Sequence, residues 1–385
     1  METTQNTEMD PARKELAKQY EKIKIIVNVT ESILSFLLLL LFLWWGYSKN
    51  LELLAFGYTT NPYLALLIYS VIIGGVSAVI SFPIDYIFGF KMEHKFGLSN
   101  QSFGGWIGER FKGALVGGII GAPIAFLFYW LLSSYELWWL YLACIVWVYS
   151  ILLAQIAPVL IFPLFYKFTP IENDDLRLKL LAMCDKVGFK VSGVYKFNMS
   201  KTTKKANAAF TGFGRTKRII LGDTLLESFN EKEIETVFAH ELGHYKRGHI
   251  KINILISLFG TFIGLFVMAS IYSMLLPVFG FQHRYEIAAL PLLALIAAVY
   301  SFFTGPLTAA ISRRFEYEAD RFAIDTTGDI GSFASTMEKL AGQNLANDEP
   351  NKLVEFWTYS HPSIKKRIAA AKEYFAQRFP PAAEA

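Results

Sequence analysis

The stretch VFAHELGHYKRGHI, residues 237–250, runs straight into KINILISLFGTFIGLFVMASIYSMLL, residues 251–276. Its first half carries hydrolytic chemistry. His240 and His244 are four apart, so on a helix both imidazoles leave one face and can hold one metal ion. Imidazole is a borderline ligand and zinc undergoes no redox change, which favours zinc, one ion per chain. Glu241, between them, is placed to act as general base toward a water molecule. The residues that follow form an apolar run of the length that crosses a bilayer, about 20 residues.

The rest of the chain extends this reading. Of 385 residues, 53% are hydrophobic and 18% charged, and the mean hydropathy is +0.34. A soluble chain of this length carries more surface charge. Six runs are long and apolar enough to span, at residues 27–47, 64–84, 114–132, 137–160, 252–277 and 287–311. The first starts late and is followed by no small-residue cleavage site, so it reads as a retained span and not a signal peptide. A net charge of +4 has no nucleic-acid character. Cys144 and Cys184 are far apart and imply neither a disulfide framework nor a CxxC metal site.

Lysine and arginine alternate between loops. Five precede the first run (Arg13, Lys14, Lys18, Lys22, Lys24), and only Lys49 lies in the first loop. Four lie in the second loop (Lys91, Lys95, Arg110, Lys112), none lies near Tyr135 and Glu136, and only Arg284 lies in the fifth. Basic loops stay on the cytoplasmic side. Both termini, the second loop and the long fourth segment are therefore expected in the cytoplasm.

The expected class is mainly α, a polytopic helical membrane protein of six or seven spans. The expected divisions are an N-terminal membrane part, 1–168, with its cytoplasmic loop at 91–112; a soluble insertion, 169–251; the last two spans, 252–311; and a C-terminal soluble part, 312–385. Within the insertion, LRLKLLAMCDKVG reads as a helix ended by Gly188, and GVYKFNM as a strand. ANAAFTGF and KRIILGD read as a hairpin turning at Gly214, Arg215 and Thr216. A helix over DTLLESFNEKEIETVFAHELGHYKRGH has Asn230 and Glu233 in the spacing of a capping box. The C-terminal part reads as mostly helical, closing on the loop YSHPSIKKR.

Catalytic zinc takes three protein ligands. His249, five residues after His244, lies about 140° further round a continuous helix and so faces elsewhere. In SRRFEYEADRFAID, Glu316 and Asp320 share a face from which Glu318 points away. Glu316 as third ligand, with Asp320 bonded to a ligating histidine, would complete the site. A solvated acidic helix face is the alternative.

These segments together resemble the integral-membrane type I CAAX prenyl proteases, the a-factor-converting family of zinc metallopeptidases. EHKFGLSNQSFGGW, FPLFYKFTP, ANAAFTGFGRTKRIILGDTLL, AHELGHYKRGH, SRRFEYEAD and YSHPSIKKR occur in the family's order over nearly the whole chain. The resemblance implies a gluzincin-like zinc endopeptidase domain with a small sheet, and it puts the family's glutamate ligand on Glu316. It implies membrane helices around a water-filled chamber, for which Gly74, Gly75 and Ser77 suit a chamber wall and close helix packing equally. Asn207 and Ala208 fall on the edge strand that holds a substrate backbone extended. His361 falls where a histidine can donate to the oxyanion, and Arg367 where a cation pairs with a substrate carboxylate or a nearby acid.

The chain departs from eukaryotic members in having six spans instead of seven, no long polar insertion before the metal helix, and a terminus, PPAAEA, without a dibasic signal. A prokaryotic inner-membrane member is expected. Its substrate is a peptide or protein, membrane-tethered or lipidated, in contact with membrane lipid and with no nucleic acid; a monomer is compatible with the sequence. Membrane-protein quality control without prenyl substrates is the alternative role. Site-2-type proteases also use a His-Glu-x-x-His helix, but within a span, whereas Lys246, Arg247 and Lys251 put this one at the membrane edge. A zinc-stabilised transporter or scaffold would need neither Glu241 nor an open coordination position.

Overall fold

The computed structural model describes residues 10–211 and 217–380. The predicted turn at Gly214, Arg215 and Thr216 lies outside the described residues, as does most of PPAAEA.

The chain opens with α1 (Pro11–Trp44), where Asp10 caps the Ala12 N–H at 3.2 Å and Pro11 occupies a position that needs no donor. Gly46, at φ +73°, turns the chain into α2 (Tyr47–Tyr58), a short helix the hydropathy runs did not separate. Asn61 and Pro62 repeat the cap at the start of α3 (Pro62–Ile84), which continues through a π-helical turn, Asp85–Lys91, into α4 (Met92–Lys95). Next come α5 (Phe103–Ser134) and α6 (Trp138–Ile156), the latter prolonged by a second π-helical turn, Ala157–Ile161, and α7 (Phe162–Phe165).

The soluble part begins with β1 (Phe168–Pro170), α8 (Asp174–Lys186), β2 (Val194–Phe197), β3 (Ala208–Thr211), β4 (Arg218–Gly222), α9 (Asp223–Ser228) and α10 (Glu231–Lys246). The helix predicted as one run is two, divided at Phe229, whose backbone is extended. The Asn230–Glu233 capping box then starts α10, with both reciprocal hydrogen bonds formed. The chain returns to the membrane in α11 (His249–Leu275) and α12 (Leu290–Thr327), and ends in α13 (Ile330–Asn344), α14 (Lys352–Thr358) and α15 (Ile364–Arg378). YSHPSIKKR does not close the fold: its second half starts α15.

Among the described residues, six helices are long and apolar enough to cross a membrane: Pro11–Trp44, Pro62–Lys95, Phe103–Ser134, Trp138–Phe165, His249–Leu275 and Ile287–Thr327. They stand side by side in the cyclic order α3, α5, α6, α11, α12, α1, with α2 between α1 and α3. Tyr63 against Phe126 and Tyr129 joins α3 to α5 at one end, and Phe90 against Phe103 and Trp106 does so at the other. No span occupies the middle: the most apolar window of the first buries none of its residues, and that of the sixth only 39%. A Cβ built on Gly74 or Gly75 meets no atom within 4 Å, so these glycines do not serve close packing.

The sheet order is β1-β2-β4-β3, with β2 and β4 parallel and the other pairs antiparallel. The predicted hairpin forms, Ala208 opposite Leu221 and Thr211 opposite Arg218. β3 is thus an edge strand with one side unpaired. Leu180, Leu221, Leu225, Phe238 and Leu242, all 1% exposed or less, seal α8 and α10 onto the sheet. Each such side chain contributes roughly 1.5–3 kcal/mol by leaving water. Behind α10, Ala239, Ala323, Ile324, Phe333, Met337 and Ala371 join α12, α13 and α15.

Candidate metal centre

α10 and α12 cross at Gly243. A Cβ there would lie 3.0 Å from the Ala319 Cα and 3.1 Å from the Ala319 carbonyl oxygen, so only glycine lets the helices meet this closely. The contact lays Glu316, one turn before Asp320 on α12, across the His240–His244 face of α10. His240 Nε2 and His244 Nε2 are 3.2 Å apart. Glu316 Oε2 lies 3.4 Å from the first and Glu316 Oε1 lies 3.3 Å from the second.

These spacings match a tetrahedral metal ion. Donors bound to zinc at about 2.0–2.1 Å stand about 3.3 Å from one another. Glu316 Oε2 is buried and accepts no hydrogen bond; the Arg367 guanidinium nearby offsets its charge, but a lone pair is left that a metal ion can take. The charge balance agrees: Glu241, Glu316 and Asp320 face one guanidinium, that of Arg367, which leaves two negative charges for a divalent ion to offset. The donor set of two imidazoles and a carboxylate, with room for one more ligand, suits catalytic zinc.

The surrounding groups set the orientation of each ligand. His240 Nδ1 donates to Asp320 Oδ1 at 2.8 Å, which leaves Nε2 with the lone pair a metal needs. In the metal-free site, burial opposes charge on His240, but the hydrogen bond to Asp320 and the Glu316 carboxylate 3.4 Å away outweigh it and raise the imidazole to about 9. Arg367, 6% exposed, holds Asp320 from both sides, Nε to Oδ2 at 2.8 Å and Nη2 to Oδ1 at 2.5 Å. Its Nη1 lies 3.2 Å from Glu316 Oε2. Of the two partners the sequence offered Arg367, a substrate carboxylate or a nearby acid, the structure puts acids there. Burial opposes its charge as well, and Asp320 outweighs it, so the guanidinium stays protonated above its usual range.

His249 corrects the sequence reading. It does not face elsewhere: its Nδ1 is 3.0 Å from His244 Nδ1, and its Nε2 is 3.2 Å from Glu318 Oε2. The 140° argument assumed one continuous helix. The chain instead breaks at Gly248, φ +75°, between α10 and α11, and the turn swings His249 back. His249 is 2% exposed and stacks on Phe315 with centroids 4.1 Å apart. With Glu318 accepting from Nε2–H, its Nδ1 accepts from His244 Nδ1–H, so His244 also offers Nε2 to the metal. Both ligands are oriented from behind, one by an acid and one by a histidine backed by an acid. The signal lay in Gly248, the residue type that tolerates positive φ.

The remaining predicted residues border one cavity of about 800 Å³, lined by Asn207, Ala208, His240, Glu241, His361 and Arg367 among others. Glu241 forms no hydrogen bond or ion pair among the described residues, and burial pushes its carboxyl above the usual glutamate value. His361 is 60% exposed, with Nε2 3.4 Å from Glu316 Oε1 and Nδ1 2.9 Å from Ser360 Oγ.

A ring of membrane helices carrying a His-His-Glu centre beside an unengaged glutamate defines a membrane-embedded metallopeptidase. Comparison with known proteins gives the family. Residues 170–375 match peptidase family M48, and residues 3–167 match the N-terminal region of CAAX prenyl proteases, described as five membrane helices. An uncharacterised metalloprotease of Bacillus subtilis is 30% identical over 370 residues, 95% of this chain and 87% of that one. CAAX prenyl protease 1 of Saccharomyces cerevisiae is 31% identical over 320 residues, 78% of this chain and 70% of that one. The crystal structure of S. mikatae Ste24p superposes with a TM-score of 0.85 at 26% identity, covering 96% of this chain and 91% of that one. The chain belongs to peptidase family M48.

Proposed function

We propose that this chain is a zinc endopeptidase that cleaves near the C-terminus of membrane-tethered peptides, CAAX-type prenylated substrates included, from the cytoplasmic side. The observation that carries the reading is the cavity that joins His240 and Glu316, two of the three clustered donors, and Glu241 to the free edge of β3. An extended peptide pairing with that edge at Asn207 and Ala208 is bound through its backbone, so recognition tolerates varied side chains. The alternation of lysine and arginine supports a cytoplasmic catalytic part and cytoplasmic termini. Expected substrates are peptides or proteins anchored by a lipid or an apolar segment.

His240, His244 and Glu316 would hold the metal ion. Zinc bound there supplies Lewis-acid polarisation of the scissile carbonyl and a lowered water pKa. Glu241, its carboxylate unengaged, accepts the proton of the attacking water at one oxygen and returns it to the leaving amine nitrogen. Ser360 O–H donating to His361 Nδ1 leaves the imidazole proton on Nε2, the nitrogen facing the site. From there it donates to the carbonyl oxygen as negative charge develops. Arg367 and Asp320 hold His240, while His249 and Glu318 hold His244.

The test is chelator-sensitive cleavage of a fluorescent C-terminal peptide by the detergent-solubilised protein, in farnesylated and unmodified form. Glu241→Gln is expected to lower kcat by at least about a thousandfold while metal content stays at one equivalent. An active Glu241→Gln enzyme would end this assignment. Equal cleavage of both peptides would shift the reading to general processing of membrane proteins.

A further inference from the structure

The cavity does not stop at the edge strand. Beyond the N-terminal end of β3 it continues past Ala206 and Lys205 to the face of α1 that carries Tyr20, Glu21 and Lys24. The charged groups there differ in their engagement. Glu21 spends both oxygens, one on the Tyr359 hydroxyl and one on Asn347 Nδ2 at 2.6 Å. Lys205 is paired with Glu93 at 3.0 Å and donates to the Tyr20 hydroxyl at 3.1 Å. Tyr20 in turn donates to Glu93. Lys24 has no such partner: it forms no ion pair or hydrogen bond among the described residues, and its ammonium lies 5.2 Å from the Tyr20 ring centroid. Lys205 stands 5.4 Å from the same centroid. Two ammonium groups flank one aromatic ring with a single carboxylate between them. Glu21 keeps its charge among neutral partners, so the end of the groove carries two ammonium groups and two carboxylates, and Lys24 is the one cation there that forms no ion pair or hydrogen bond among the described residues, exposed to the cavity.

We propose that Lys24, with Lys205 beside it, binds the C-terminal carboxylate of the peptide substrate. The inference rests on the peptidase reading above and names the end of the substrate that reading leaves open. Strand direction supplies the geometry. A peptide added antiparallel to β3 points its C-terminus toward the N-terminal end of β3, where the lysines stand. A parallel peptide would instead bring the upstream chain of the substrate to the lysines and leave Lys24 no terminal charge to pair with. A free carboxylate there replaces water around Lys24 with a charge-assisted hydrogen bond. The enzyme would then set its cleavage position from the free C-terminus, independent of side-chain sequence.

The experiment compares two peptides identical except for a C-terminal carboxylate or carboxamide. The readout is the ratio of their kcat/KM values for wild type, Lys24→Gln and Lys24→Arg. Wild type is expected to favour the carboxylate by roughly tenfold to a hundredfold, the range for one hydrogen bond to a charged group. Lys24→Gln should bring the ratio close to one, and Lys24→Arg should keep most of it. A wild-type enzyme that treats both peptides alike overturns the subsite, and so does a Lys24→Gln enzyme slowed by the same factor on both. A wild-type enzyme that cleaves neither peptide overturns the peptidase reading itself, and this inference with it.

Discussion

The close contact of α10 with α12 can be tested by adding one methyl group. In Gly243→Ala, the new Cβ would stand 3.0 Å from Ala319 Cα, 3.1 Å from the Ala319 carbonyl oxygen and 3.1 Å from Phe322 Cβ. Two of these atoms belong to the α12 backbone and cannot rotate away. Ordinary contact begins at 3.4 Å, so the helices must part by a few tenths of an ångström. Ala319 lies between Glu316 and Asp320, so the displacement reaches both. Metal sites tolerate deviations of about 0.2 Å in ligand distances, and overpacking of this kind costs about 1–3 kcal/mol. The expected result is zinc affinity weakened about 10- to 100-fold, the range for disturbed ligand support. The assay is competition with a chromophoric chelator, paired with thermal melting of chelator-treated protein. Gly260→Ala on α11 is the control, because its Cβ meets nothing within 4 Å. Wild-type zinc affinity in Gly243→Ala would refute the claim that this approach sets the ligand geometry.

Two further outcomes follow from hydrogen bonds around the site. His249→Phe keeps the stack on Phe315 but removes the acceptor for His244 Nδ1–H, and should weaken zinc binding about 10- to 100-fold. His249→Gln can accept from His244 and donate to Glu318, and should recover most of that loss; equal affinity in the two variants would reduce His249 to a packing residue. Glu233→Gln tests pH dependence. Burial raises the Glu233 carboxyl, but Lys339, Ser335 and the Asn230 N–H outweigh it and hold it below 4.5. A depressed carboxyl stabilises the fold above its unfolded value, and that contribution fades as pH falls through the folded value. The drop in melting temperature caused by Glu233→Gln, about 1–2 kcal/mol in stability at pH 7, should therefore shrink below pH 4.5. A penalty that does not change with pH would mean the charge contributes nothing.

Much of the centre was readable because a helix converts sequence spacing into direction. His240, Glu241 and His244 needed only the 3.6-residue period; that period also puts Glu316 and Asp320 on one face, but only the family resemblance, not the spacing, singled Glu316 out as the third ligand. The capping box of α10 was equally local. What failed was what depended on a break. His249 was assigned by rotation along a helix that ends at Lys246, and α2 was hidden because it is only twelve residues long, too short for a spanning run. The partners of Arg367 were undecidable from the sequence for a different reason. Asp320 is 47 residues away, and only the packing of α15 on α12 chooses between an internal acid and a substrate. The engagement of Glu21 and Lys205, which leaves Lys24 alone, is likewise a property of α1 meeting the soluble part and has no trace in local spacing.

The continuity of α12 changes how the membrane part relates to the chemistry. Sequence hydropathy ends the sixth span at residue 311 and starts a separate soluble piece at 312. The structure has one rod, Leu290–Thr327, whose first half packs on α11 and α1 and whose second half carries Glu316 and Asp320. On the other side, α10 passes its histidines to α11 across the single turn at Gly248. The two metal-binding helices are therefore built at the adjoining ends of two neighbouring spans, α10 joined to α11 and the second half of α12 continuing its own span. Any shift of α12 along or away from α11 displaces Glu316 from the histidines, and a bound metal ion resists that shift in proportion to its affinity. By linkage, occupancy of the centre stabilises the packing of the last two spans, and whatever strains that packing weakens the centre. The ring of spans is thus part of the metal site's support, not merely its anchor.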